Sequence, residues 1–399
     1  MFNDTVEGVT TPVPLPFRPD DDEGIGAPLA RFLAARPTPP RVLALGEPTH
    51  GVGSFPRMRN AALRYLVEHA GFRSVALESD APAGLAVDAW VRGGPGDLDD
   101  LLATGFSHGF GAYAANRELL VWLRGHNRDR ADPVRFHGFD APLEMTHAQS
   151  PRTALLALHA HLSAVIEPPC TAAGIEELTG PDARWTEPAA ATDPSRSVGS
   201  TPEVTALRLL ADDLRTLLHA HAPALVAATS PDAWWTARLH ARTAAGLLRY
   251  HATMADPGPA RFARMMQMRD AMMAENLLAV VERDGPTLAF AHNGHLQYDQ
   301  GSWAGLRWWS AGAIAAAELG AGYAVLVSAL GRGPGVGDPP PGTPEAVLAA
   351  LPAGRLIADP AVLHGTAKRT DIPPRRGCFP LDPAHPEGSD GIVFVRDAY

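Results

Sequence analysis

The chain has few cysteines, no long apolar run and no excess of basic residues. Its two cysteines among 399 residues, Cys170 and Cys378, lack the spacing of a metal or redox motif. The formal net charge of −10 argues against sequence-independent nucleic-acid binding. No apolar segment reaches the roughly 18 residues of a membrane span, and the amino terminus lacks the pattern of a secretory signal. We therefore expect a cytoplasmic protein with a small-molecule substrate and no nucleic-acid or membrane partner.

The hydrophobic pattern predicts an α/β fold with a mostly parallel sheet flanked by helices. Near the amino end, apolar runs and helical periodicity alternate in the order strand 41–46, helix 55–70, strand 73–78 and helix 81–92. Such a βαβα unit implies parallel strands joined by right-handed crossovers. The later strand-like runs share the same branched apolar composition and cover 134–139, 287–291, 323–330 and 391–396.

The middle of the chain is mainly helical. Its long periodic segments cover 150–166, 203–221, 231–254 and 261–283, and a loop rich in Pro, Thr, Ser and Gly at 167–202 interrupts them. We therefore predict four parts, namely an irregular lead-in, the first half of the α/β core, a helical insertion and the second half of the core: 1–40, 41–148, 149–283 and 284–399. The insertion would overhang the carboxyl edge of the sheet, either as a lid or substrate wall or as a purely structural layer.

The most informative motif is the segment 46–51, Gly-Glu-Pro-Thr-His-Gly, which directly follows an apolar run. Glu78 ends the next strand-like run in the same way, and His292 ends the run at 287–291. Ligands of α/β proteins bind beyond the carboxyl ends of the strands, so these side chains are expected to lie together. An imidazole beside carboxylates can take a proton from water at neutral pH. The pattern thus predicts an acid–base site.

The candidate site residues fall into two groups. Those expected to carry the proton chemistry are His50, Glu47, Glu78 and His292. Those expected to contact substrate are Arg59, Asp140, Arg269 and His295. Asp140 follows the strand-like run at 134–139, where it joins the cluster or caps the next helix. Arg269 and Asp270 are helical neighbours that face different directions, so only one, Arg269, is expected to reach the site.

Two other kinds of site compete with this interpretation. The same glutamates and histidines could hold zinc or another divalent ion as mixed ligands. No segment shows the His-Glu-x-x-His spacing, however, so we predict an acid–base site with no metal and no cofactor. The segment 105–109, Gly-Phe-Ser-His-Gly, matches a serine nucleophile elbow. An acidic, helix-like stretch precedes it where an apolar strand is required, so Ser107 is not expected to be a nucleophile.

Six segments together resemble the erythromycin esterase family, and their order and spacing match over about residues 40–330. These segments are 45–51, 71–78, 116–124, 136–140, 269–276 and 291–295. Beyond residue 330 the match is weak. The segment 301–309, Gly-Ser-Trp-Ala-Gly-Leu-Arg-Trp-Trp, departs from the family through its tryptophans, which would reshape the pocket that it borders.

The resemblance implies a metal-independent hydrolase that opens macrolide lactones, with a helical lid over an α/β core. It implies His50 as the base that activates water and Glu47 and Glu78 as the carboxylates that orient it. Arg59 and His292 would surround the reacting carbonyl. We therefore expect a carboxylic ester hydrolase acting on a sizeable, mostly apolar natural product, as in macrolide resistance. Two alternatives stay open: a biosynthetic cyclase, dehydratase or lyase with the same acid–base site, and a binding protein with an inactive site.

Overall fold

A computed structural model describes residues 14–17, 24–144, 147–303, 305–373 and 377–399. Within them the strands are β1 (Leu15–Pro16), β2 (Val42–Glu47), β3 (Ser74–Asp80), β4 (Arg135–Asp140), β5 (Leu143–Glu144), β6 (His147–Ala148), β7 (Thr287–His292), β8 (Gln300–Trp303), β9 (Leu306–Trp309), β10 (Tyr323–Arg332), β11 (Arg355–Ala358) and β12 (Gly391–Asp397).

The helices in the same described ranges are α1 (Gly26–Ala34), α2 (Ser54–His69), α3 (Ala81–Val91), α4 (Leu98–Thr104), α5 (Ala114–Asn127), α6 (Arg152–Leu162), α7 (Ala172–Thr179), α8 (Pro202–Ala220), α9 (Ala222–Ala228), α10 (Pro231–Met254), α11 (Arg261–Asp284), α12 (Asn293–Leu296), α13 (Ala311–Leu319) and α14 (Pro344–Ala349). No helix in these ranges combines the length and apolar character needed to cross a membrane.

One large sheet joins both ends of the chain in the order β1-β11-β12-β10-β2-β7-β3-β4. The strands from β12 to β4 are parallel, whereas β11 and β1 are antiparallel additions at one edge. Strand β2 lies between β10 and β7, and its register places Glu47 beside His292. The expected mostly parallel α/β sheet is therefore confirmed, and the carboxyl ends of β2, β3, β4 and β7 meet at one edge.

Apolar side chains cover both faces of the sheet, which is why the central strands are continuous apolar runs. On one face, Leu43, Leu45 and Phe290 belong to the same buried cluster as residues of α2 and α5. On the other face, the small Ala44 and Ala289 pack with residues of α11 and α13. The alternation of large and small residues along each strand thus decides which helices each face receives.

The inserted helices form a layer with a core of its own. Leucines of α6, α8 and α10 are buried together in it. The last helix, α11, returns to the sheet through Met273, Leu277 and Val281. Because β7 follows α11 after a short turn at Gly285, the helix runs from the carboxyl edge of the sheet towards its amino edge. Its first ten residues therefore stand at the edge where the candidate residues lie.

Two expectations about irregular segments were wrong. The lead-in 1–40 contains α1, which begins at Gly26 and buries Leu29 in the core beneath α2. Its Pro28 lies in the first turn, where proline is compatible with a helix. The loop at 167–202 contains α7, whose first turn is capped by the Thr171 hydroxyl accepting from the Gly174 N–H. In both segments the surrounding Pro and Gly obscured a short helical pattern.

Candidate active site

The loop after β2 brings an acid and an imidazole into contact. Nδ1 of His50 lies 2.7 Å from Oε1 of Glu47, which is 3% exposed, whereas 38% of the His50 side chain is accessible. The preceding Gly46 leaves room for Asn293, because a Cβ at Gly46 would overlap the Asn293 amide. That amide bonds both backbone groups of Ser328 on β10. Asn293 thus packs between the start of the loop and β10, and the His50 imidazole is the part of the loop that reaches solvent.

Glu78 lies near the end of β3, where the register with β4 shifts. Its Oε2 accepts a 2.7 Å hydrogen bond from the His292 backbone N–H, and its Oε1 accepts from Nη2 of Arg269 at 3.0 Å. Nε2 of His295 lies 3.4 Å and Nε2 of His50 3.9 Å from the same Oε1. Glu78, near the end of β3, therefore contacts residues at the carboxyl ends of both β2 and β7.

His292 holds the loop through both ring nitrogens. Its Nδ1 accepts from the Gly294 N–H at 3.1 Å, so Nε2 carries the proton and donates to the Pro48 carbonyl at 3.2 Å. The ring also meets His50 edge-on at 5.5 Å and Phe379 at 4.5 Å between centroids. Burial, assisted by the charge of His50, lowers the pKa of His292 to about 3. The ring is neutral at physiological pH, and its two hydrogen bonds hold the Pro48 carbonyl and the Gly294 N–H in place.

His295 lies between two carboxylates. Its Nδ1 is 2.8 Å from Oδ1 of Asp270, and its Nε2 faces Glu78. Asp270 also accepts from Nε1 of Trp308 and from the Ala311 N–H, both at 2.8 Å. Burial alone would lower the pKa of His295, but Asp270 and Glu78 outweigh it and raise the pKa. The two carboxylates thus favour the protonated form of His295.

Asp140 and Arg269 form a second buried pair. Arg269 donates to Asp140 from Nε and from Nη2, the latter at 2.6 Å. His108 adds its Nε2 at 3.1 Å from Oδ2 of Asp140, and its Nδ1 lies 3.2 Å from Glu144. Burial would raise the pKa of Asp140, but Arg269 and His108 keep it lowered. Asp140 is fully buried and orients Arg269, whose side chain is 13% accessible.

Arg59 lies behind Glu47. It is 1% exposed, donates to the Asn60 side chain and to the Ala115 carbonyl, and stacks on Phe290. Together with Glu47 and Glu78 it lines a cavity of about 20 Å³, enough for one water molecule. Burial lowers the pKa of Arg59 to about 9, against the opposing effect of Glu47. The guanidinium is thus still a cation at neutral pH.

The pKa values of the two glutamates are shifted in opposite directions. Burial raises the pKa of Glu47, against the hydrogen bond from His50. Glu78 is equally buried, but the charges of His295, His50 and Arg269 and the His292 N–H hold its pKa well below the usual range. Burial would lower the pKa of His50, yet Glu78 and Glu47 together raise it. The arrangement therefore combines a carboxylate that is held ionised with an imidazole whose pKa is raised.

The structure brings all eight predicted side chains into this region and adds two that the sequence analysis did not assign. Asp270 reaches the site beside Arg269, so the expectation that only one of these neighbours would do so was wrong. Two sides of α11 face the cluster because β4 lies on one side and the segment after β7 on the other. His108 belongs to the dismissed Gly-Phe-Ser-His-Gly segment. No sequence signal marked it, although the segment itself was conspicuous.

The same segment does not hold a serine nucleophile. It follows α4 instead of a strand, and the Ser107 hydroxyl accepts from the Asp80 N–H at 3.0 Å. Among the residues that the structure describes, no three His, Cys, Asp or Glu side chains are arranged to hold a metal ion. In the described site, the oxygens of Glu78 face donors from Arg269, His295 and the backbone.

The fold and these contacts define an α/β protein with a carboxylate–imidazole site at the carboxyl edge of its sheet. The family model described as erythromycin esterase matches residues 67–377, and the chain belongs to the erythromycin esterase family. The matched range includes Glu78, Arg269 and His292, whereas the loop with Glu47 and His50 precedes it. The resemblance seen in the sequence is thus confirmed.

Two relatives from Escherichia coli match shorter stretches. Erythromycin esterase type II is 29% identical over 131 residues, which are 32% of this chain and 30% of that protein. Erythromycin esterase type I is 28% identical over 102 residues, 26% of this chain and 24% of that protein. The chain therefore aligns with less than a third of the length of either relative.

Solved structures share the whole fold. A mutant of erythromycin esterase EreC in its open conformation has a TM-score of 0.71 at 18% identity, with 97% of this chain and 98% of that chain covered. A protein from Bacillus cereus has a TM-score of 0.71 at 18% identity, covering 96% and 95%. A succinoglycan biosynthesis protein has a TM-score of 0.69 at 17% identity, covering 96% and 94%. At these identities the likeness concerns the fold.

Proposed function

We propose that this chain hydrolyses a lactone or ester of a sizeable, mostly apolar natural product, with His50 as the general base. The observation that carries the proposal is the 2.7 Å contact between Nδ1 of His50 and Glu47, on a side chain that is 38% accessible and whose Nε2 lies 3.9 Å from Oε1 of Glu78. A carboxylate on Nδ1 fixes the tautomer whose Nε2 can accept a proton. The erythromycin esterases among the relatives support an ester as the substrate.

In the proposed reaction, Nε2 of His50 takes a proton from water while the water oxygen attacks the carbonyl carbon. The tetrahedral intermediate then collapses, the bond to the leaving alkoxide breaks, and the His50 imidazolium returns the proton to that alkoxide. The products are a carboxylic acid and an alcohol, which stay in one molecule if the substrate is a lactone. Each acid–base step is expected to contribute roughly 10²–10⁴-fold.

Glu78 stabilises the imidazolium form of His50 without becoming protonated, because Arg269 and His295 keep it ionised. Arg269 uses Nε and Nη2 in its bonds to Asp140 and Glu78. We assign the remaining Nη1 to the carbonyl oxygen of the substrate, where negative charge develops. In this proposal Arg59 and His292 act as positioning residues, since Arg59 is buried behind Glu47 and both ring nitrogens of His292 are hydrogen-bonded.

The test is hydrolysis by the purified chain of erythromycin and of para-nitrophenyl esters, with and without EDTA, followed by mass spectrometry. We expect a product heavier than its substrate by one water and a rate that EDTA does not change. His50→Asn should lower kcat by about 10²-fold or more. His69→Asn, at an exposed histidine at the end of α2, is the matched control.

Three results would contradict the proposal. One is a His50→Asn variant with normal turnover. Another is a rate that EDTA abolishes and added divalent metal restores, which would assign the chemistry to a bound ion. The third is a product with the mass of its substrate or less by one water, which would indicate the cyclase, dehydratase or lyase alternative.

A further inference from the structure

A large cavity lies on the far side of His292 from His50. It has a volume of about 650 Å³, within the usual range of small-molecule sites. One wall is the hairpin of β8 and β9, and the other is formed by described residues of the stretch 363–389. No candidate residue of the acid–base site lines it, so its occupant has not yet been accounted for.

The cavity is joined directly to the proposed catalytic loop. The Phe379 N–H donates to the Pro48 carbonyl at 2.9 Å, and Nε2 of His292 donates to the same oxygen. The Phe379 ring lines the cavity and packs on His292, which in turn packs on His50. Only one imidazole ring therefore separates the wall of the cavity from the general base.

The hairpin wall is also tied to the site. Trp308 on β9 is buried and donates from Nε1 to Asp270, which holds His295. The next residue, Trp309, bonds the side chain of Gln267 on α11 through its backbone N–H and carbonyl. The tryptophan-rich segment that departs from the family thus fixes one wall of the cavity against the helix that supplies Arg269.

The lining indicates the kind of molecule that fits. Its floor is apolar and buried, formed by Val327, Leu363, Ile372 and Leu381. Its rim carries amides from Gln297 and Gln300 and ion pairs that join Lys368 to Asp382 and His385 to Asp299. Together with the exposed Arg307, these groups place hydrogen-bonding partners around the apolar floor.

We propose that this cavity binds the part of the substrate remote from the reacting ester, a mostly apolar body with hydroxyl or carbonyl oxygens at its periphery. The proposal rests on the proposed function, since it places the ester at His50. A substrate must then be long enough to pass the His292 and Phe379 rings. Small esters fill only the part beside His50, so the cavity gives the enzyme its preference for large substrates.

The experiment places a bulky side chain in the opening of the cavity. Ser302 on β8 is exposed and lines the rim, so Ser302→Trp places an indole in the opening. Val121→Trp adds the same side chain at an exposed position of α5 that does not line the cavity. For each chain the ratio of kcat/KM for erythromycin to kcat/KM for para-nitrophenyl acetate is measured, and thermal melting checks the fold.

We expect Ser302→Trp to lower that ratio by about tenfold or more and Val121→Trp to leave it at the wild-type value. An unchanged ratio in folded Ser302→Trp overturns the proposal. If Ser302→Trp does not fold, Thr370→Trp on the exposed opposite rim replaces it, with the same expectation.

Calorimetry separates this proposal from the proposed function. Erythromycin is titrated into His50→Asn and into the same chain with Ser302→Trp added, so that turnover plays no part. Affinity about tenfold weaker in the double variant supports the cavity, even if the wild type hydrolyses no ester. Equal affinity, or no binding to either chain, overturns the cavity as the site of the remote part. If the wild type hydrolyses no ester but erythromycin binding still depends on the cavity, only the proposed function is contradicted.

Discussion

Glu47 and Glu78 are the same residue type on β2 and β3, the two strands that flank β7, and both are almost fully buried. Their surroundings nevertheless shift their pKa values in opposite directions. The described partners of Glu47 are His50, which titrates itself, and the more distant Arg59, so burial prevails and raises its pKa. Glu78 is surrounded by Arg269, His295 and a backbone N–H, so its ionised form is preferred. Such a division provides one carboxylate for hydrogen bonding to His50 and one permanent anion beside it.

Glu78→Gln tests this division through the pH dependence of activity. A general base works only as the neutral imidazole, so kcat/KM should rise with pH through the pKa of His50, which lies above its ordinary 6.5. Removing the Glu78 charge removes a contribution that raises this pKa. We expect the midpoint of the acid limb to move to lower pH, with a lower plateau because Arg269 and His295 lose their partner.

The control for that experiment is Glu282→Gln, at an exposed glutamate of α11 paired with Arg238. Its profile should coincide with that of the wild type. An acid limb of Glu78→Gln that stays in place or moves to higher pH would show that Glu78 does not set the protonation of His50.

The positions of single residues at the candidate site were predictable where those residues followed an apolar strand. Glu47, Glu78 and His292 were predicted because each ends a run whose burial is visible in the sequence. His108 and Asp270 were not, because their place depends on tertiary packing. His108 lies in a loop with a φ of 57° that aims it at Asp140. Asp270 is buried only because β9 and α13 cover it.

At the scale of elements, α11 contributes most to the site. It spans 24 residues, packs on the sheet through its second half and presents Arg269 and Asp270 at the carboxyl edge. Arg269 neutralises two buried carboxylates from different strands, Glu78 and Asp140. The helix is therefore held to β3 and β4 by a charge network as well as by apolar contacts.

Arg269→Met tests how much that network contributes to the free energy of unfolding. The variant keeps the length and apolar stem of the side chain but leaves Glu78 and Asp140 without their main counter-charge. Breaking a buried pair in this way typically costs about 3–5 kcal/mol in the free energy of unfolding. Urea denaturation measures the change.

Arg264→Met on the same helix is the matched control, since Arg264 is exposed and pairs with Asp256 at the surface. An exposed pair contributes only about 0–1 kcal/mol. Equal losses of stability in Arg264→Met and Arg269→Met would mean that the network does not hold α11 to the sheet.

Long elements followed the sequence pattern closely, whereas short ones did not. The predicted helix 261–283 is α11 at Arg261–Asp284, and the predicted strand 323–330 is β10 at Tyr323–Arg332. The hairpin of β8 and β9 was not predicted, because Gly and Trp interrupt any alternation of apolar and polar residues there. The antiparallel strands β1 and β11 have two and four residues, too few to show a period.

At the scale of the whole molecule, the sheet order makes the two halves of the core dependent on each other. Strand β2 from the first half is inserted between β7 and β10 from the second half. The site accordingly draws on residues from Glu47 to Trp308 in the sequence. Its geometry exists only when the entire sheet has formed, so the protonation of its buried carboxylates should be coupled to global unfolding.

The sign of that coupling follows from Glu78 and Asp140, whose pKa values are lower in the folded chain than their ordinary 4.5 and 3.8. Below those ordinary values the unfolded chain binds protons that the folded chain does not. The stabilisation from each carboxylate is thus complete above its ordinary pKa and is lost as the pH falls towards the folded one. Each contributes a slope of up to about 1.4 kcal/mol per pH unit in that window.

We therefore expect the free energy of unfolding of the wild type, measured by urea denaturation, to fall steeply as the pH drops below 4.5. Glu78→Gln should start from a lower stability at neutral pH and show a slope shallower by up to about 1.4 kcal/mol per pH unit, because one proton fewer is taken up on unfolding. The exposed Glu282→Gln should follow the wild-type curve. Parallel curves for Glu78→Gln and wild type would mean that Glu78 binds its proton equally well in both states, and the fixed anion on which the proposed mechanism depends would not exist.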